Sequence, residues 1–297
     1  MREADRLATV VVASRYGRLA NRLFAFANLI ANAYKVGYRV INAAFCDYAD
    51  LFEVPAGMGI TTFPPRRALI VSSRVRNMER NVIRALEILA QSQHLPARKC
   101  TSVNLALGER LDLDGDRFQL ALRTSRYVFV SGLETVDTES SCYLPLIRSY
   151  FRPANAYEMR VRTMVERSRS LGQVLVGVHI RRGDYRVAAD GRWYFEHESY
   201  ARLMDHVSRM LVPKIACFLL VSDEPIPSHQ FAKFRHTISQ EREVVDMYSL
   251  AECDYIFGPF STFSWWASIY GNVPLYHIED INHDPSISEF TVRSKMW

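Results

Sequence analysis

His179-Ile180-Arg181-Arg182-Gly183-Asp184-Tyr185 gathers an imidazole, two guanidinium groups and a carboxylate in seven consecutive residues. Arginine is well suited to holding a phosphate, because its planar fork donates two parallel hydrogen bonds and its charge is not lost at working pH. The segment continues an apolar run, Gln173 to Val178, with turn-forming residues at its ends. Such a run reads as a buried parallel strand. Alternate side chains of a strand share a face, so His179 and Arg181 point one way and Ile180 the other. Ligands of open α/β sheets bind outside the carboxyl ends of strands. The chemistry predicted here is a seat for a phosphorylated ligand. The alternative is a structural ion pair of Arg181 or Arg182 with Asp184, although such charges at a buried strand end are costly unless satisfied or used. Arg-Gly-Asp as an integrin motif needs an exposed flexible loop, and this one is a strand terminus.

Four further stretches carry candidate chemistry. In Gly258-Pro259-Phe260-Ser261-Thr262-Phe263-Ser264-Trp265-Trp266 a strand turns into a helix whose first turn holds Ser261, Thr262 and Ser264. Free amides, hydroxyls and the helix dipole make an anion site there; an ordinary Ser/Thr N-cap reads equally well. Gly17-Arg18-Leu19-Ala20-Asn21-Arg22 is a strand-to-helix loop with one glycine, so it lacks the dinucleotide fingerprint. Here Arg18 and Asn21 either meet an anion or are an exposed charge and a helix cap. Ser222-Asp223-Glu224 ends another strand, with acids placed for ribose, base or cap work. Asp246 opens a helix, where it caps, complements the dipole, or accepts from a guanine N1–H and exocyclic amine. The histidines show no HxH or HExxH spacing, and no Gly-x-Ser-x-Gly elbow is present. Asp112-Leu113-Asp114 matches DxD but sits in a polar segment of no clear element.

The chain of 297 residues is 48% hydrophobic and 23% charged, which suits one large domain or two of ordinary size rather than disorder. Its net charge of +5 is carried mostly by arginine and fits anionic ligands, nucleic acid or an acidic membrane face. Nucleic acid ranks low, because there is no lysine-rich stripe or recognised aromatic platform. The five cysteines, Cys46, Cys100, Cys142, Cys217 and Cys253, are dispersed and odd in number, so buried free thiols and a reducing compartment are expected. No apolar run approaches the roughly 20 residues of a spanning helix. The N-terminal residues carry acids and are unlike a signal peptide. The expectation is a cytoplasmic protein, free or peripheral to the inner face of the membrane.

The elements that must position these residues alternate along the second half. Strands are expected at 173–180, Ile215–Val221, Thr237–Ser239, Tyr255–Gly258 and Val273–Ile278, with helices near 199–211, 230–235, 245–252 and 263–270. Such alternation predicts a parallel, doubly wound sheet. In the first half, strands are expected at Ala8–Ala13, Tyr38–Asn42, Leu69–Ser73, Ser102–Ala106 and Tyr127–Ser131, with helices to about Val36, near 78–92 and at 142–150. Phe151-Arg152-Pro153-Ala154-Asn155 suits a domain junction. The expected architecture is α/β, with Rossmann-like domains at 1–153 and 154–297 facing a cleft.

These motifs, in this order and spacing, resemble the α-1,2-fucosyltransferases of glycosyltransferase family 11 and the wider group with α-1,6- and protein O-fucosyltransferases. His179–Tyr185 matches the family's HxRRGDY, Ser222-Asp223-Glu224 its SDD-like strand end, Ser261–Tyr270 its GTFGFWxAYL-like segment, and Gly17–Arg22 its GRxGNQ loop. Ala20 stands for a glycine, Arg22 for a glutamine, Ser264-Trp265 for Gly-Phe, and Arg186–Tyr194 is unlike the usual continuation. The resemblance implies a GT-B fold, an acceptor-side first domain and a nucleotide-sugar-binding second domain. It implies metal-independent, inverting transfer of fucose from GDP-fucose to a glycan hydroxyl, with α-1,2 linkage and no further cofactor. Arg181 then grips the β-phosphate with His179 and Arg182 in support, Asp223 and Asp246 serve the guanosine, Ser261, Thr262 and Phe263 hold pyrophosphate and base, and Arg18 and Asn21 approach the diphosphate.

Inverting transfer needs stabilisation of the leaving diphosphate, an oxocarbenium-like sugar and removal of the acceptor proton. Asp184, Asp190 and Glu196 are candidate bases, and Asp184 alternatively holds the arginines. Two other readings remain: transfer from another GDP- or nucleotide-activated deoxysugar, and nucleotide-sugar binding without catalysis.

Overall fold

The computed structural model describes residues 7–53, 58–67, 73–92, 99–106, 108–132, 134–137 and 139–293. The described residues divide into two compact units, one up to Ala154 and one from Asn155 onward.

The first unit is built on a five-stranded sheet. Its strands are β1 (Thr9–Val12), β2 (Arg39–Asn42), β4 (Thr62–Phe63), β6 (Cys100–Asn104) and β8 (Tyr127–Ser131). They lie in the order β4-β2-β1-β8-β6, all pairs parallel except β2 with β4. Two small pairs are separate from it: β3 (Met58–Gly59) with β5 (Arg66–Arg67), and β7 (Arg110–Asp112) with β9 (Glu134–Val136). Helix α1 (Leu19–Val36) follows β1 and stops at Gly37, whose φ of 90° suits a residue without Cβ. Helices α2 (Ser73–Gln91), α3 (Asp116–Thr124) and α4 (Leu144–Tyr150) complete the unit. Phe26, Phe45, Phe52, Tyr150 and Phe151 cluster in its core, with Phe151 edge-to-face to Phe26, Phe52 and Tyr150.

The second unit has five parallel strands: β10 (Val174–Ile180), β11 (Ala216–Ser222), β12 (His236–Ile238), β13 (Tyr255–Pro259) and β14 (Leu275–Ile278). Their order is β12-β11-β10-β13-β14. Helices α5 (Asn155–Arg169), α6 (His197–Met210), α7 (Glu243–Leu250) and α8 (Thr262–Gly271) cover it. β10 is central, and every residue in it is buried. Val174, Val176, Val178 and Ile180 pack with Tyr200, Leu203, Met204 and Val207 of α6. On the other face a Cβ at Gly177 would lie 2.5 Å from Leu250 Cδ2 of α7, so the helix seats directly on the strand. Burial on both faces is why β10 reads as an unbroken apolar run.

The structure departs from the sequence expectations at several elements. The expected helix near 230–235 is a 3₁₀ turn at Ser228–Phe231, and the last strand starts at Leu275. Asn155 begins α5, a helix with only Val161 and Ser168 buried, too polar to announce itself as an amphipathic stripe. The segment 107–126 holds β7 and α3. The strand expected at Leu69–Ser73 lies outside the described residues except for Ser73, which begins α2. All five cysteines are free, with Cys217 and Cys253 buried as expected and Cys142 exposed.

Candidate functional site

In the second unit the strand order reverses between β10 and β13, which pair in parallel through Val176–Tyr255, Gly177–Ile256 and Val178–Phe257. A crevice at the carboxyl end of such a pair is where open α/β sheets take ligands. His179–Tyr185 leaves β10 there, and Phe260–Ser261 leaves β13. A Cβ at Gly258 would lie 2.5 Å from the His179 carbonyl oxygen, so only glycine allows this approach. The Tyr185 hydroxyl donates to the Phe260 carbonyl at 2.7 Å and ties the two exits together.

Arg181 stands at the centre with its side chain 16% exposed. Its guanidinium meets Asp184 at 2.8 Å and Asp223 at 3.1 Å, and lies 5.5 Å from the Tyr185 ring centroid. Asp223 also accepts the Arg182 backbone N–H at 3.0 Å. A Cβ at Gly183 would sit 2.7 Å from Asp223 Oδ2, so the glycine of the motif makes room for that carboxylate. Two carboxylates thus hold one guanidinium in a set orientation, which lowers the entropy lost when it meets an anion.

Arg182 is buried and turned elsewhere. It donates to the Phe195 carbonyl at 3.0 Å, to Glu196 at 2.8 Å and to the Tyr194 hydroxyl, stacking over the Tyr194 ring at 4.6 Å. The hydrogen bond from Arg182 holds the Glu196 carboxyl below its usual range, the opposite of what a base at neutral pH requires. His179 is 3% exposed and stacks on Phe263 at 4.9 Å. Burial, with Arg181 beside it, pushes the imidazole down to about 3, so it is neutral at working pH.

Ser261 caps α8 by accepting the Phe263 N–H at 3.2 Å, and Ser264 donates back to the Ser261 carbonyl at 3.3 Å. The ordinary cap is therefore present, and the dipole of the helix favours an anion at the same end. Asp246 lies inside α7, three residues after its start, and accepts from the Ser239 hydroxyl. Burial raises its carboxyl to about 7, opposed by the Ser239 bond and reinforced by Glu241 and Glu243.

The structure therefore brings His179, Arg181, Asp184, Asp223, Ser261 and Phe263 together at the neighbouring ends of β10, β11 and β13. Asp190 is exposed on the loop that follows, with φ of 54° next to Ala189 at 49°, a left-handed backbone that non-glycine residues seldom adopt. Thr262 is the first residue of α8. Arg18 and Asn21 belong to the first unit. Arg18 occupies the N-cap position of α1 with an exposed side chain, so Asn21 lies within the first turn and is not the cap. Arg22 donates to the Gly17 and Ala44 carbonyls and pairs with Asp47 at 2.8 Å, which fastens the loop to its own unit. Asp223 as a brace, and Tyr194 as a partner of Arg182, were not foreseen; both depend on contacts between segments.

Among the described residues no three His, Cys, Asp or Glu side chains gather as a metal site. Asp112 accepts the Asp114 N–H at 2.9 Å and Asp114 pairs with Lys35 at 2.7 Å, so the DxD stretch is a turn and an ion pair. No helix among the described residues is long and apolar enough to cross a membrane.

No family model matches this chain, and no curated protein does. Solved structures match nearly its whole length. A FUT1 mutant of Arabidopsis thaliana, in complex with GDP, is 14% identical with a TM-score of 0.59, over 96% of this chain and 74% of that one. NodZ, an α-1,6-fucosyltransferase known from Bradyrhizobium and here soaked with GDP-fucose, is 14% identical with a TM-score of 0.53, over 91% and 94%. POFUT1 in complex with GDP is 10% identical with a TM-score of 0.52, over 95% and 98%. At these identities the likeness is one of architecture: the chain has the mixed α/β, parallel-sheet fold of these fucosyltransferases.

Proposed function

We propose that this protein is a glycosyltransferase that moves fucose from GDP-fucose to a glycan hydroxyl, with inversion, without a required metal, and with α-1,2 linkage. The observation that carries the reading is Arg181, held by Asp184 and Asp223 at the strand-order reversal beside the N-terminus of α8. A guanidinium and helix-start amides stabilise charge that develops on a leaving diphosphate. The fold shared with proteins solved with GDP or GDP-fucose points to the same donor.

In this reading Arg181 contacts the β-phosphate, and Ser261 and Thr262 take the pyrophosphate through the first turn of α8. Asp246 accepts from the guanine, and His179 and Phe263 form the wall against which the nucleotide rests. Asp223 and Arg182 act as braces, because Asp223 holds Arg181 and the Arg182 N–H, and both Nη groups of Arg182 are spent on Tyr194, Phe195 and Glu196. Asp184 is committed to Arg181, so the base is Asp190, presented by its left-handed backbone. The deciding experiment is calorimetry with GDP, GDP-fucose, UDP-sugars and dTDP-sugars in the presence of EDTA, followed by an acceptor screen with linkage analysis. Preference for a UDP- or dTDP-sugar, or turnover only after metal addition, would refute the donor or the metal-independent chemistry respectively.

A further inference from the structure

Beyond the arginine centre, the loop after β10 and the start of α8 carry a cluster of rings that the reading above does not use. Trp193, Phe260 and Trp265 are each half-buried. Trp193 lies 5.8 Å from Phe260 at 31°, and Phe260 lies 5.8 Å from Trp265 at 78°. Guanidinium groups flank the row, Arg192 at 4.7 Å over Trp193 and Arg293 at 5.8 Å from Trp265. His277 of β14, 5% exposed, lies 5.2 Å from Phe260 and 6.0 Å from Trp265.

The chemistry of His277 is decided by its neighbour. Arg293 Nη2 donates to His277 Nδ1 at 3.1 Å, and arginine has no acceptor, so Nδ1 must be the bare nitrogen. The ring proton is then on Nε2, which is buried and has no hydrogen-bond partner among the described residues. A buried donor without a partner is costly and calls for an acceptor that the protein does not supply. Burial, with Arg293 and His179 nearby, pushes this imidazole down to about 3, so it remains a single donor at working pH.

We propose that Trp193 and Phe260, whose planes lie within 31° of each other, form a pyranose-stacking platform with Trp265 edge-on beside it, and that His277 Nε2–H and the Arg293 guanidinium are donors to sugar hydroxyls. A pyranose offers a face of C–H bonds to aromatic rings and a rim of hydroxyl acceptors to N–H groups, the combination present here. The platform adjoins the arginine centre, because the Phe260 carbonyl accepts from Tyr185 while its ring belongs to the row. The choice of a sugar as ligand rests on the proposed function. The pyranose is either the sugar of the donor or the terminal sugar of the acceptor.

Calorimetry and tryptophan fluorescence on wild type, W193A and W193F distinguish the two. The probes are GDP, GDP-fucose and methyl β-D-galactopyranoside, with thermal melting to verify the fold. GDP affinity should stay within about twofold in W193A, since no part of the nucleotide site is altered. If the donor sugar occupies the platform, W193A weakens GDP-fucose roughly tenfold while GDP is unaffected. If the acceptor sugar does, W193A weakens the galactoside by a similar factor and leaves GDP-fucose alone. In either case W193F, which keeps a ring, recovers most of the loss. Binding of both sugars that does not change with residue 193, or wild type that gains nothing from either sugar, overturns the platform. Failure of wild type to bind GDP instead overturns the GDP-donor reading, and the galactoside arm is scored without it.

Discussion

At the scale of single residues, Arg181 is set apart from Arg182 by its partners rather than by its type. Both follow the same strand, yet Arg181 is held by two carboxylates at the strand-end crevice while Arg182 is spent on Tyr194, Phe195 and Glu196. R181A should cost about 2–5 kcal/mol in transition-state stabilisation, roughly a thirtyfold to several-thousandfold loss of kcat/KM. R181K should also be severe because the two-pronged geometry is lost; steady-state kinetics with GDP-fucose would check both. The acids divide differently. D184N should weaken GDP binding by loosening Arg181, whereas D190N should keep GDP affinity and lose turnover; equal turnover in D190N and wild type would remove Asp190 as the base. Asp246 carries a pH signature. Its carboxyl is raised to about 7 in the free protein, and pairing with guanine N–H donors requires the ionised form. GDP affinity should therefore fall as the pH drops through 7, by about tenfold between pH 8 and pH 6, and D246N should bind weakly and without this dependence.

At the scale of elements, the site depends on how closely β10 and β13 approach and on how α8 begins. G258A places a methyl against the His179 carbonyl, and the strands must separate. The expected cost is about 1–3 kcal/mol in stability, read by denaturant melting, together with weaker GDP binding because the two exits shift apart. S261A removes the acceptor for the Phe263 N–H; loss of a cap is worth about 1 kcal/mol. An S261A protein as stable as wild type would show that α8 needs no cap. The patterns behind these elements were readable to different degrees. β10 and α8 declare themselves through an apolar run and a Gly-Pro-x-Ser-Thr start. α5 does not, since its buried face is too narrow to register as a period. The small strands β3, β5, β7 and β9 have two or three residues each, too short for an alternation to be counted.

At the scale of the whole molecule, two neutral histidines buried in the second unit, His179 and His277, make its fold sensitive to acid. Each has its imidazole pushed down to about 3 by burial, against an ordinary value of 6.5. A base whose folded value is depressed contributes stability that is present above 6.5 and lost as the pH falls from there towards 3. Each should steepen the fall by up to about 1.4 kcal/mol per pH unit in that window. Unfolding of H277Q measured between pH 6.5 and 4.5 should show a shallower slope than wild type, and an unchanged slope would mean that His277 is protonated in the folded state.

Local pattern carried a buried strand ending in His-x-Arg-Arg-Gly-Asp, a strand-to-helix turn with Ser-Thr at the start of the helix after β13, and alternating strands and helices that imply parallel sheets. Which strands are neighbours is a property of the folded sheet. The order β11-β10-β13 brings Gly258 against His179, and it sets Asp223, the acid expected to meet the nucleoside, 3.1 Å from the Arg181 guanidinium. The physical reason is that a side chain's partner is set by register and by the packing of distant segments, which no local spacing encodes.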